Sequence, residues 1–160
     1  MTRAKAYREM MALLLSPRDE EKFEWLIGCM LDNPDNGPFH RVVLAGEPGS
    51  GKTTLTQIAR KVLFSPFAGH FAPRVGFISE DTRDPNIDDQ MFLFVEAITD
   101  SIADESMIVI QTTGDRVPVN KHYVLMHEID GEVEDIADRC IALYRELGDD
   151  YYQTFQENNR

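Results

Sequence analysis

A mostly parallel, five-stranded α/β sheet in three layers, preceded by a pair of helices, is the fold class this sequence predicts. Three observations carry it. Short apolar runs rich in β-branched and aromatic residues recur between residues 41 and 126 and are interleaved with segments of helical spacing. A glycine-rich loop joins the first of these runs directly to a helix. Two amphipathic segments, with no strand between them, fill the first 32 residues.

Taken in order, Thr2 to Leu15 reads as a helix with Ala4, Tyr7, Met11 and Leu14 or Leu15 on one face. Arg3, Lys5 and Arg8 make its start the most basic part of the chain. Ser16-Pro17-Arg18-Asp19 supplies an N-cap, a proline at the first helical position and an acid three residues on. The second helix then runs to about Asp32, with Phe23, Leu26, Ile27, Met30 and Leu31 at three- and four-residue spacing. The turn cluster Asn33-Pro34-Asp35-Asn36-Gly37-Pro38 divides a helical segment, residues 1–36, from a core, residues 37–148. Within that core, strands are expected at Arg41–Ala45, Arg74–Ile78, Met91–Val95, Met107–Ile110 and His122–Met126. A last helix from about Glu132 to Leu147 ends at Gly148 as its C-cap. Residues 149–160 form an acidic tail whose Tyr151, Tyr152 and Phe155 are placed to dock back on the core.

The loop carries the chemistry. Gly46-Glu47-Pro48-Gly49-Ser50-Gly51-Lys52-Thr53 fits G-x-x-x-x-G-K-[ST] at every fixed position, between a buried strand and a helix with Leu55, Ile58, Val62 and Leu63 at helical spacing. Glycines let the backbone turn so that successive N–H groups point at phosphate oxygens, and the helix dipole adds positive potential at the same spot. Gly46 to Thr54 are the expected binding residues for a nucleoside triphosphate such as ATP. Lys52 would reach the β- and γ-phosphates, and the Thr53 hydroxyl would take one position on Mg²⁺. This motif defines the P-loop NTPase three-layer sandwich as the expected architecture.

Composition narrows the partners. Sixteen Lys and Arg against 28 Asp and Glu give a net charge of −12, which disfavours nucleic acid except at a local basic patch or in an oligomeric pore. No apolar run approaches a membrane span, and the start MTRAKAYREMMALLLSP lacks a signal-cleavage pattern, so a cytoplasmic protein is expected. Cys29 and Cys140 lie far apart on expected helices and suit reduced core thiols. His40, His70, His122 and His127 show no ligand spacing, and no structural zinc is expected.

Hydrolysis also needs an acid at the end of a neighbouring strand to hold the magnesium or orient the attacking water. Glu96, closing Phe92-Leu93-Phe94-Val95, is favoured over Glu80 and Asp81, which follow a weaker strand. Thr112 and Thr113, with Gln111 behind them, end the next strand and are candidates to face the γ-phosphate from the side opposite Lys52.

A helical N-terminus, GEPGSGKTTL, FLFVEA and IVIQTTGDRVP in this order resemble the AAA+ ATPases, and among them the superfamily III helicases of viruses and phages. The resemblance covers roughly residues 24–118. It implies Lys52 and Thr53 as Walker A, Glu96 as the Walker B acid and Thr112 to Gly114 at the sensor position, with Thr113 catalytic. It also implies Arg116 as an arginine finger completing a neighbouring subunit's site in a homo-oligomer. Gly114 stands where that family usually has asparagine, and the short acidic stretch ITDSIADES replaces a lysine-bearing DNA-contacting element. Activity in viral or phage DNA replication or remodelling is what the resemblance implies.

Two other classes stay open. A small P-loop kinase would need arginines around the transferred phosphoryl, for which Arg74, Arg83, Arg116 and Arg139 are available, with Asp81 or Asp84 on the acceptor hydroxyl. A non-catalytic switch would use bound ATP to order its acidic face.

Overall fold

The computed structural model describes residues 3–33, 40–65, 75–78, 92–97, 107–114, 117–151 and 153. Helices α1 (Lys5–Leu14) and α2 (Pro17–Asp32) open the chain, followed by β1 (His40–Ala45) and α3 (Lys52–Leu63). Three further strands, β2 (Val75–Ile78), β3 (Phe92–Ala97) and β4 (Met107–Gln111), precede α4 (Val119–Asp130) and α5 (Val133–Leu147).

The sheet corrects the expected architecture in two ways. First, among the described residues it has four strands, all parallel, in the order β2-β3-β1-β4. The segment expected as a fifth strand, His122–Met126, lies inside α4. Five apolar or aromatic residues in a row are ambiguous between strand and helix. Here Leu125 and Ile129, one helical turn apart, are buried, while Tyr123 and Val124 are exposed, which a helix packed on α1 by one stripe explains. Second, the described helices do not flank the sheet on both sides. Val42, Leu44, Phe94, Ile108 and Ile110 point from one face into a core that contains residues of all five helices. The opposite face contributes Val43, Ala45 and Ala97, with Val109 beside them, and no helical residue joins that cluster. Among the described residues the arrangement is therefore two layers rather than a three-layer sandwich.

β1 is central, and Val42, Val43, Leu44 and Ala45 are buried on both of its faces. Beyond β4 the sheet edge is covered by the chain entering α2. Leu15 forms an antiparallel bridge with Thr112, and the buried Lys22 ammonium donates to the Val109 carbonyl at 3.2 Å. Burial pulls the Lys22 pKa below its usual range, although the nearby Asp19 carboxylate opposes this.

The N-terminal helices belong to the same core as the sheet. Ser16 caps α2 by accepting from the Asp19 N–H at 3.3 Å, with Pro17 next in the first turn. The cap of α1 comes from far along the chain. Glu132, between α4 and α5, accepts from the N–H groups of Ala6 and Tyr7 at 2.9 and 2.8 Å. Trp25 donates its indole N–H to the Gly148 carbonyl at 2.9 Å and meets the rings of Tyr144 and Tyr151, so the start of the tail does dock. Tyr152 and Phe155 lie outside what is described. Cys29 and Cys140 are free, buried thiols, and burial pushes that of Cys29 up to about 12. No described helix is long and apolar enough to cross a membrane.

α2 and α5 approach closely at Gly28, where an added Cβ would lie 2.1 Å from the Cys140 carbonyl oxygen. Neither backbone can give way without separating the helices. Gly28→Ala is expected to destabilise the fold by about 1–3 kcal/mol, the usual cost of overpacking, and urea unfolding would measure it.

Candidate nucleotide-binding site

β1 delivers the chain to the loop from the middle of the sheet. Its pairing with both neighbours continues past its carboxyl end: the Gly46 N–H donates to the Ala97 carbonyl and the Thr112 N–H to the Ala45 carbonyl, both at 3.0 Å. The loop thus starts pinned between the ends of β3 and β4. Within it the Ser50 N–H closes a turn on the Glu47 carbonyl at 3.1 Å. Glu47, Pro48 and Gly49 form the exposed crest, while Ser50 is buried beneath them.

Two glycines are required by their surroundings. Gly46 has no room for a side chain, since a Cβ would sit 2.0 Å from Thr112 Oγ1 and 2.5 Å from Ser50 Oγ. Gly51, the N-cap of α3, has φ of +104°, and a Cβ there would meet Leu14 Cδ2 at 2.4 Å.

The turn leaves a row of donors free. Among the described residues no backbone carbonyl accepts from the N–H groups of Gly49, Gly51, Lys52, Thr53 or Thr54. These span the loop and the first turn of α3, where an α-helix has no internal partner for its amides. Aligned donors at the positive end of a helix suit an anion. Thr54 is buried, while the Thr53 side chain is exposed toward the sheet end.

The end of β3 and the first turn of α3 meet here. Glu96 pairs in register with Leu44, on the same sheet face as Phe94. Its carboxylate accepts from the Thr53 hydroxyl at 3.2 Å. Lys52 Nζ donates to the Ala97 carbonyl at 3.1 Å, the same strand-end carbonyl that accepts from the Gly46 N–H at the start of the loop. Thr53 and Glu96 could hold one magnesium ion together with phosphate oxygens and water, since Mg²⁺ takes few protein ligands when a polyphosphate supplies the rest. Among the described residues no group of three or more His, Cys, Asp or Glu forms a self-sufficient metal site.

The remaining candidates divide. Thr113 does not face the loop: its N–H and hydroxyl donate to the carbonyls of Leu14 and Leu13 at 2.9 and 3.0 Å, tying β4 to the end of α1. Thr112 faces the loop instead, with its buried hydroxyl 2.8 Å from Ser50 Oγ. Strand alternation carries this signal in the sequence. Ile108 and Ile110 point to the helical core, so Thr112 must share their face and Thr113 must not. Arg139 is in the helical layer, paired with Glu24 at 3.0 Å. Arg116, Glu80, Asp81, Asp84, Arg74 and Arg83 lie outside the described residues.

No protein-family model matches this chain, and no curated protein matches it.

Proposed function

We propose that the chain binds a magnesium nucleoside triphosphate, with ATP the first candidate, and cleaves its terminal phosphoanhydride. One observation carries the reading: a full G-x-x-x-x-G-K-[ST] loop whose free amides, Lys52 ammonium and Thr53–Glu96 pair all stand at one strand end. In this reading the amides of Gly49 and of residues 51–54 cradle the phosphates, and Lys52 leaves the Ala97 carbonyl to neutralise the β- and γ-oxygens. Thr53 and Glu96 fix the magnesium, which polarises the phosphoryl group when bound. The order of motifs supports an ATPase of AAA+ or helicase-like type, acting as a homo-oligomer in the cytoplasm.

A second reading, phosphoryl transfer to a small molecule, is favoured by one observation. Thr113, a candidate for orienting an attacking water, is committed to α1, so an acceptor hydroxyl could take the place of water.

Titration calorimetry with ATP, with and without Mg²⁺, tests the binding. Glu96→Gln is expected to leave metal-free binding within about twofold while reducing the gain from Mg²⁺ roughly tenfold, as loss of one charged ligand oxygen implies. A Glu96→Gln protein with an unchanged magnesium response would remove Glu96 from the site. Phosphate release measured with and without a panel of nucleosides, nucleotides and sugars separates hydrolase from kinase.

A further inference from the structure

The loop is held from below by residues outside the motif. Thr112 is 5% exposed, and its hydroxyl lies 2.8 Å from Ser50 Oγ and 3.3 Å from the Ala45 carbonyl. Ser50, 3% exposed, has its hydroxyl against that of Thr112. The space vacated at Gly46 is the space these two hydroxyls fill. On the next residue of the same strand, Thr113 grips the last carbonyls of α1, and Leu14 of that helix fills the space under Gly51. Ser50 and Gly51 are thus supported by β4 and by α1, while the amides around them stay free for a ligand.

We propose that Thr112 is a positioning residue for the nucleotide loop, acting through Ser50, and that it contributes to affinity without touching the phosphates. The inference rests on reading the loop as a nucleotide site. A hydroxyl pair beneath the crest fixes the turn closed by Ser50 and Glu47, so the amides are aimed before the ligand arrives and less ordering is left for binding to supply. Because Thr113 and Leu14 tie the same strand and loop to α1, the helix end shares in this support.

The test is a double-mutant cycle read as the Kd for Mg·ATP, using a non-hydrolysable analogue, with thermal unfolding as the check on folding. Thr112→Val is expected to weaken binding roughly five- to tenfold, the worth of one lost hydrogen bond at a pre-formed site, and Thr112→Ser to restore it to within about twofold. Ser50→Ala should cost about the same as Thr112→Val, and the double variant no more than either alone. Additive losses, or a folded Thr112→Val protein that binds like the wild type, would overturn the proposal. If Thr112→Val does not fold, Ser50→Ala decides: unchanged affinity there overturns it equally. Failure of the wild-type protein to bind the analogue defeats the nucleotide reading itself, a result distinct from a wild type that binds and variants that bind as well.

Discussion

Lys52→Ala is expected to weaken Mg·ATP binding roughly a hundredfold, because two charge-assisted hydrogen bonds to phosphate oxygens are lost together. The amides of the loop would still be present, so binding should fall steeply rather than vanish. The ammonium now donates to the Ala97 carbonyl, so its gain on binding is the exchange of a neutral acceptor for an anionic one. Lys52→Arg should not rescue: a planar guanidinium on a longer stem cannot occupy the point-charge position that the four-carbon ammonium reaches from the first residue of α3. Calorimetry of both variants reads the effect directly. Stability should change little, since Lys52 is half-exposed and its one described bond is to a strand-end carbonyl. A Lys52→Ala protein that binds within twofold of the wild type would overturn the assignment of the loop. The same variant should also abolish turnover, which separates an enzyme from a switch that only binds.

Local signals were the legible ones. The glycine loop, the strand before it and the helix after it follow from residue types that admit few alternatives, and Ser16-Pro17 set the start of α2 at the residue observed. An apolar run ending in one acid points to Glu96, and the structure puts its carboxylate against the Thr53 hydroxyl. What failed was decided by partners distant in sequence. Val124 and Tyr123 favour a strand by propensity, yet packing of Leu125 and Ile129 against α1 makes the segment a helix. A third layer follows from alternation of elements only if helices land on both faces, and alternation does not say on which face a helix lands. The resemblance favours Thr113 over Thr112, whereas the period of two along Ile108, Ile110 and Thr112 points the earlier residue toward the loop. Nothing local marks Leu14 as the neighbour of Gly51, or Glu132 as the cap of α1, because those contacts span 37 and about 126 residues of chain.

The largest stability effect is expected in the helical layer, at Arg139. Glu24 is 3% exposed, and both its oxygens accept from Arg139 Nε at 3.0 Å while one also accepts from the Tyr7 hydroxyl at 3.1 Å. Burial raises the Tyr7 phenol well above its usual range, so it stays a donor throughout the physiological range. Arg139→Met removes the cation and leaves the Glu24 carboxylate in a site closed by α1, α2 and α5, beside the Tyr7 hydroxyl and the Glu20 carboxyl. Breaking a buried pair in this way costs about 3 kcal/mol, toward the lower end of such losses because the Arg139 side chain is 40% exposed and water can partly replace it. The converse should hold for the whole cluster. Tyr7→Phe/Glu24→Leu/Arg139→Met deletes these three linked polar groups at once, leaving Glu20 beside them, and should recover part of the loss, since the desolvation cost of the Glu24 carboxylate disappears. Urea midpoints of the wild type, the single and the triple variant rank these directly, and a triple variant less stable than Arg139→Met would show the polar cluster to be net stabilising. The folded Arg139→Met protein should bind Mg·ATP as the wild type does, because its described partner Glu24 lies in α2, away from the loop. A large loss of phosphoryl transfer in that variant with binding intact would instead bring Arg139 back as a group at the reacting phosphate.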